Sequence, residues 1–255
     1  MPRASLPLLV VIAFGSAPLR AQRAPPPAPA RHVTYVIVHG AWGGGWDWRA
    51  VDSMLTRRGH RVVRVTLTGS GERVHLASPE IRLSTHIADV VNTILWEDLH
   101  DVVLVGHSYG GMVITGVADR IPERIHRLVY VDALLPDSGE SVLQLMGGSG
   151  LGFIQSTLKN GMSVPPWVTD TMAIPRDVPQ SFRTLTDTLN LVNPAGRRVP
   201  GTYILTVEAA VNPDPFQWAA DRAAARKWPV YRLDANHTPE RSAREPLVAM
   251  LDRVP

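Results

Sequence analysis

Cysteine is absent from the 255 residues, which excludes a disulfide framework, a thiol nucleophile and thiolate-bound metal. Lysine occurs only at Lys159 and Lys227 while arginine is frequent, a bias of composition without functional content. No dense basic tract is present: 26 Lys and Arg stand against 23 Asp and Glu, a formal charge of +3, so the chain carries no nucleic-acid footprint. Internal repeats are missing as well, which sets aside solenoids and propellers. Nor does any apolar run reach the roughly 18–20 residues of a membrane-spanning helix. What is there, 45% hydrophobic and 19% charged residues, suits one large α/β domain or two small ones with a sizeable core.

The first residues read as an export signal. A basic start at Arg3 precedes an apolar run from Leu6 to about Leu19, and small residues follow. Residues 1–21 are expected to be a signal peptide ending at Ala21, which makes the protein secreted or periplasmic, with no stable membrane insertion after cleavage. Loss of Arg3 and Arg20 lowers the formal charge from +3 to +1. Residues 22–31, QRAPPPAPAR, form a proline-rich tether unable to supply a helix or sheet hydrogen-bond pattern. Folding should begin near His32, giving a domain over 32–255.

From there, short β-branched runs alternate with longer amphipathic ones. Strands are expected at 33–38, 61–67, 101–105, 127–132, 202–207 and 229–234, and helices at 47–58, 84–98, 109–120, 215–227 and 242–253. Strands apolar on both faces belong to a mostly parallel sheet of about six strands covered by helices, an α/β fold. Between about 136 and 200 the pattern dissolves into Gly, Pro and Ser with scattered helical pieces. That is too long for a plain loop and is expected to be a small cap over the carboxyl edge of the sheet.

The chemistry concentrates in GHSYG, Gly106 to Gly110, which has the G-x-S-x-G form with a strand running in and a helix running out. Such a turn lifts the Ser108 hydroxyl above the sheet edge. A serine needs a base, and His237 in LDANHTPERS, just after the last strand, stands where parallel-sheet sites assemble. His107 should point away from Ser108, and His39 belongs with the loop that follows the first strand. That loop, in VIVHGAWGGGWDW, supplies a glycine-rich turn whose backbone approaches a substrate. The oxyanion donors are assigned to the N–H groups of Ala41 and Tyr109. The glycines Gly43 to Gly45 are followed by no Lys and Ser/Thr pair, and TGSGE at Thr68 lacks the third glycine of a dinucleotide loop. No cofactor or metal is called for.

From about His32 onward the chain resembles the small α/β-hydrolases that include plant hydroxynitrile lyases, salicylate methyl-ester esterases and bacterial carboxylesterases. VIVHGAWGGGWDW, LTGSGERVHLASPEIRLSTHIADVV and VVLVGHSYGGMVITGVADRIPERIHRLVYVDALLPDSGES carry the resemblance, with the ending around His237. It implies an α/β-hydrolase fold and a triad in the order serine, acid, histidine. The acid in that group commonly follows the penultimate strand, which favours Glu208, with Asp132 after the strand behind the elbow helix as the alternative and Asp214 as a third. The lyases carry a threonine in the oxyanion loop and a lysine after the histidine, where this chain has Gly40 and Thr238. Cyanohydrin cleavage is thereby disfavoured, and a carboxylate nucleophile is ruled out by Ser108 itself. A serine carboxylesterase for small hydrophobic or aryl esters remains, with Trp42 and Trp167, and also Phe153 and Met162, as candidate pocket residues. The alternative, a ligand-binding homologue that lost turnover, draws its support from the irregular acid.

Overall fold

In the computed structural model, the residues described are Met1, 32–169, 171–211 and 214–254. The expected signal and tether therefore lie outside the described residues, Met1 apart. In chain order the elements are β1 (Thr34–Val38), α1 (Arg49–Arg57), β2 (Arg61–Val65), α2 (Leu83–Trp96), β3 (Val102–His107), α3 (Gly110–Arg120), β4 (Ile125–Val131), α4 (Val142–Ser156), β5 (Leu158–Lys159), β6 (Met162–Ser163), β7 (Gln180–Ser181), α5 (Arg183–Thr186), β8 (Gly201–Val207), α6 (Gln217–Ala225), β9 (Val230–Asp234), α7 (Pro239–Ser242) and α8 (Arg244–Leu251).

Six strands form one sheet in the order β2-β1-β3-β4-β8-β9, every neighbouring pair parallel. Alternation along the strands sends two sets of side chains to opposite faces. Val36, Val38, Leu104, Tyr130, Tyr203 and Leu205 pack with α2, α3 and α6. Tyr35, Ile37, Val103, Val105, Val129 and Ile204 pack with Val51 and Leu55 of α1 and Leu247 and Leu251 of α8. This is why the central strands read as largely apolar runs, whereas the edge strands β2 and β9 leave Arg61, Tyr231 and Arg232 exposed: a central residue has a core to enter on either face, and each large side chain so buried contributes about 1.5–3 kcal/mol.

Two expected helices differ in detail. The first begins at Arg49, after a 3-10 turn over Gly45–Trp48. The last is divided at Ala243, whose φ of −144° and ψ of 51° leave the helical region between α7 and α8.

The strand order reverses beside β1. After β1 the chain moves to one side to make β2, then returns to the other side as β3, so the loops leaving β1 and β3 diverge and open a crevice at their carboxyl ends. Residues 136–200 fill the interval between β4 and β8. They hold α4, opened by a capping box in which Ser141 and Gln144 satisfy each other's backbone N–H groups, then the antiparallel β5-β6-β7 sheet and the short α5.

Candidate active site

Ser108 follows β3 directly and has a φ of +51°, a left-handed conformation that a non-glycine residue adopts only when its surroundings enforce it. Three backbone hydrogen bonds do so. Its N–H donates to Val131 O at 3.3 Å, and its carbonyl accepts from Gly111 N at 3.1 Å and Leu134 N at 3.0 Å. The flanking glycines answer to close approach: a Cβ on Gly106 would lie 2.8 Å from Gly110 O, and one on Gly110 would lie 2.6 Å from Val38 O. The turn is thus wedged between β1, β3 and β4 with the serine hydroxyl outward.

His237 comes from the loop after β9. Its Nε2 lies 3.0 Å from Ser108 Oγ, and its Nδ1 lies 2.6 Å from Asp132 Oδ2. Since a carboxylate accepts, Nδ1 carries the proton and donates it to Asp132, leaving Nε2 to accept from the serine hydroxyl. The second carboxylate oxygen of Asp132 accepts from Thr206 N at 3.1 Å, and the side chain is 3% exposed against 45% for His237. The Phe216 ring stacks on the imidazole with centroids 4.9 Å apart and planes 7° from parallel.

This geometry sets the alternative Asp132, and not the preferred Glu208, against His237. Strand register pairs His107 with Val131 and Val131 with Ile204, so Ser108 and Asp132 stand level with Leu205. Glu208 is three residues farther along, about 10 Å beyond that level at the usual rise of a strand. Its exposed side chain borders the cavity and has no hydrogen-bond or ionic partner among the described residues. Asp214 instead accepts from Phe216 N at 2.8 Å, and burial together with the nearby Asp132 raises its pKa.

The backbone N–H groups of Ala41 and Tyr109 donate to no protein group among the described residues, and both residues border the cavity beside Ser108. Three buried histidines brace the surroundings. His39 accepts from Leu67 N at 3.1 Å through Nε2 and donates through Nδ1 to Gly40 O at 2.7 Å. His86 sits between Thr68 O at 3.0 Å and the Tyr109 hydroxyl at 2.9 Å. His107 points away from the serine and donates through Nε2 to His237 O at 2.7 Å, tying the loop that carries the base to the elbow. Burial pulls the pKa of His39 down, that of His86 to about 4 and that of His107 to about 3, so all three stay neutral.

A cavity of about 340 Å³ opens from Ser108. The expected Trp42, Trp167 and Phe153 line it, joined by Val142, Met146 and Ile154 of α4 and by Leu185 and Phe216, while Met162 does not. Trp42 meets Phe153 and Trp167 edge-on, at centroid separations of 6.3 and 5.6 Å, and Phe153 stacks on Trp167 at 5.8 Å. Of the α4 residues only Phe153 was expected; Val142, Met146 and Ile154 were not, because their glycine-rich helix shows little amphipathic contrast. Among the described residues no group of three or more His, Asp or Glu could hold a metal ion.

The profile of the alpha/beta hydrolase family matches residues 35–250. A carbendazim hydrolyzing esterase from Nocardioides sp. (strain SG-4G) is 37% identical over 223 residues, covering 80% of this chain and 91% of that protein. Methylesterase 2 of Arabidopsis thaliana is 29% identical over 136 residues, 52% of this chain and 48% of its own. Among solved structures, an extracellular alpha/beta-hydrolase from a Paenibacillus species superposes with a TM-score of 0.74 at 22% identity, over 86% of this chain and 97% of the other. A Ser–His–Asp array on a six-stranded parallel sheet, a profile match across almost the whole described domain and a full-length relative agree: the chain belongs to the alpha/beta hydrolase family.

Proposed function

We propose that the protein is a serine carboxylic ester hydrolase working through an acyl-enzyme on Ser108. The observation that carries this reading is the unbroken relay from Ser108 Oγ through His237 to Asp132, at 3.0 and 2.6 Å. His237 Nε2 takes the hydroxyl proton as Ser108 attacks the ester carbonyl, and Asp132 steadies the imidazolium that forms. The N–H groups of Ala41 and Tyr109 receive the developing oxyanion. The imidazolium returns its proton to the departing alcohol oxygen, and water, activated by the same histidine, then releases the acid.

The cavity walls, almost all apolar and aromatic, suit a small uncharged ester with a hydrophobic or aryl part. The relative named for carbendazim hydrolysis and the plant methylesterase support ester cleavage in this family. Residues 136–200 act as the cap, since α4 and the loop carrying Trp167 supply much of that wall. We also propose export, with residues 1–21 as signal and 22–31 as tether. The basic and apolar pattern at the N-terminus and the extracellular Paenibacillus hydrolase support it, and no helix among the described residues is long and apolar enough to cross a membrane.

The test is turnover of a p-nitrophenyl ester series of increasing acyl length by the wild-type protein and by Ser108→Ala. The expected result is a loss of kcat on the order of 10⁴-fold or more in the variant, with ligand binding retained. Equal turnover by both proteins overturns the reading.

A further inference from the structure

Trp42 directly follows Ala41 and has a φ of +63°, a costly conformation for a bulky residue. The insert holds it there by three hydrogen bonds. Trp42 N–H donates to Gln180 Oε1 at 3.0 Å, its carbonyl accepts from Val178 N at 2.8 Å, and its indole N–H donates to Ser163 Oγ at 3.0 Å. Gln180 is 3% exposed, and its amide has one permitted orientation. Oε1 takes the Trp42 N–H, while Nε2 donates to Thr184 Oγ1 at 2.7 Å, and that hydroxyl donates onward to Ser181 O at 2.7 Å. The fully buried Thr184 also stands against the Tyr109 phenol, which is held from its other side by His86.

The two segments that offer N–H groups beside Ser108 therefore meet at one buried pair of side chains in the insert. We propose that Gln180, supported by Thr184, is a positioning residue for the oxyanion hole, setting where the Ala41 and Tyr109 donors point. The proposal rests on the hydrolase reading. The peptide plane gripped by Gln180 is separated from the one bearing the Ala41 N–H by a single residue. Without its acceptor, the half-buried Trp42 N–H gains by rotating toward another partner, and that rotation turns the Ala41 donor out of line. The pocket wall is held separately, because Ser163 grips the Trp42 indole. Loss of Gln180 should consequently weaken stabilisation of the oxyanion more than binding of the ester.

The experiment compares wild type, Gln180→Met, Thr184→Val and Thr184→Ser on the best p-nitrophenyl ester. Inhibition is measured with a trifluoromethyl ketone, whose serine adduct places an oxyanion in the hole, and with the non-hydrolysable ether isostere of the substrate. Gln180→Met is expected to lower kcat about tenfold or more with KM changed by less than about twofold, and to weaken the trifluoromethyl ketone by a like factor while the ether binds as before. Thr184→Val should follow in the same direction, and Thr184→Ser, which keeps the hydroxyl, should retain activity. Should Gln180→Met fail to fold, the Thr184 pair carries the same comparison. Unchanged kcat, or parallel weakening of ketone and ether, overturns the assignment while Ser108-dependent wild-type turnover leaves the hydrolase reading standing. Wild-type turnover independent of Ser108 overturns both.

Discussion

Asp132 reaches His237 because the chain turns sharply at the end of β4: its φ is +44°, and its N–H donates back to Ile204 O at 2.7 Å. With both carboxylate oxygens engaged, it fixes the tautomer in which Nε2, facing Ser108, carries no proton. Asp132→Asn presents an amide in the same place and permits the wrong tautomer, so kcat should fall about 10³–10⁴-fold. Glu208→Gln, at the cavity rim, should change kcat by less than about twofold; parallel kcat and KM measurements on one ester decide, and the opposite ranking would restore Glu208. The meeting of Ser108 and His237 was legible in the sequence because a G-x-S-x-G turn and a histidine after the last strand of the sheet are local patterns. Which carboxylate meets His237 was not, because the choice between Asp132 and Glu208 depends on register across three strands, and register leaves no mark on either residue's neighbours.

Helix α3 runs from the elbow into the core, with Gly111 set against β4's exit: a Cβ there would lie 1.9 Å from Leu134 O. Helix propensity alone favours alanine over glycine by about 1 kcal/mol, yet the clash is with backbone that cannot swing aside. Gly111→Ala should therefore destabilise, by roughly 3 kcal/mol at the upper end of overpacking costs, and disturb Ser108, whose carbonyl holds Leu134 N. Gly152→Ala in α4, where a Cβ meets nothing within 4 Å, should instead stabilise by about 0.5–1 kcal/mol. Denaturant unfolding of the two variants checks both signs. The central strands were readable because a strand buried on both faces is largely apolar, and the edge strands β2 and β9 by their β-branched and aromatic residues. The insert was not: β5, β6 and β7 have two residues each, too short for any period, and they are specified by side-chain bonds such as those to Trp42.

Across the molecule, Arg241 joins parts distant in sequence, pairing with Asp47 after β1 and with Asp177 of the insert at 3.4 Å while lying over the Trp46 ring at 5.2 Å. Beneath it Glu240 is 1% exposed, with Arg241 Nε 4.0 Å away and neither carboxyl oxygen hydrogen-bonded among the described residues. Burial, then repulsion from Asp47, raises its pKa from 4.5 to about 8, so the folded protein retains a proton that the unfolded chain releases. Below pH 4.5 the group is neutral in both states; between 4.5 and 8 the folded state binds more protons, and stability falls as pH rises. The unfolding free energy of Glu240→Gln relative to wild type should thus be constant below about pH 4, rise between pH 4.5 and 8 and level off above it; a difference independent of pH would contradict the assignment. Strand β9, meanwhile, lies at one edge of the sheet, pairs with β8 alone among the described residues, and delivers His237 to a serine 129 residues earlier. If the proposed mechanism holds, a refolding chain brings a base to Ser108 only once β9 has docked on β8, so recovery of activity should lag behind formation of the strands that precede it.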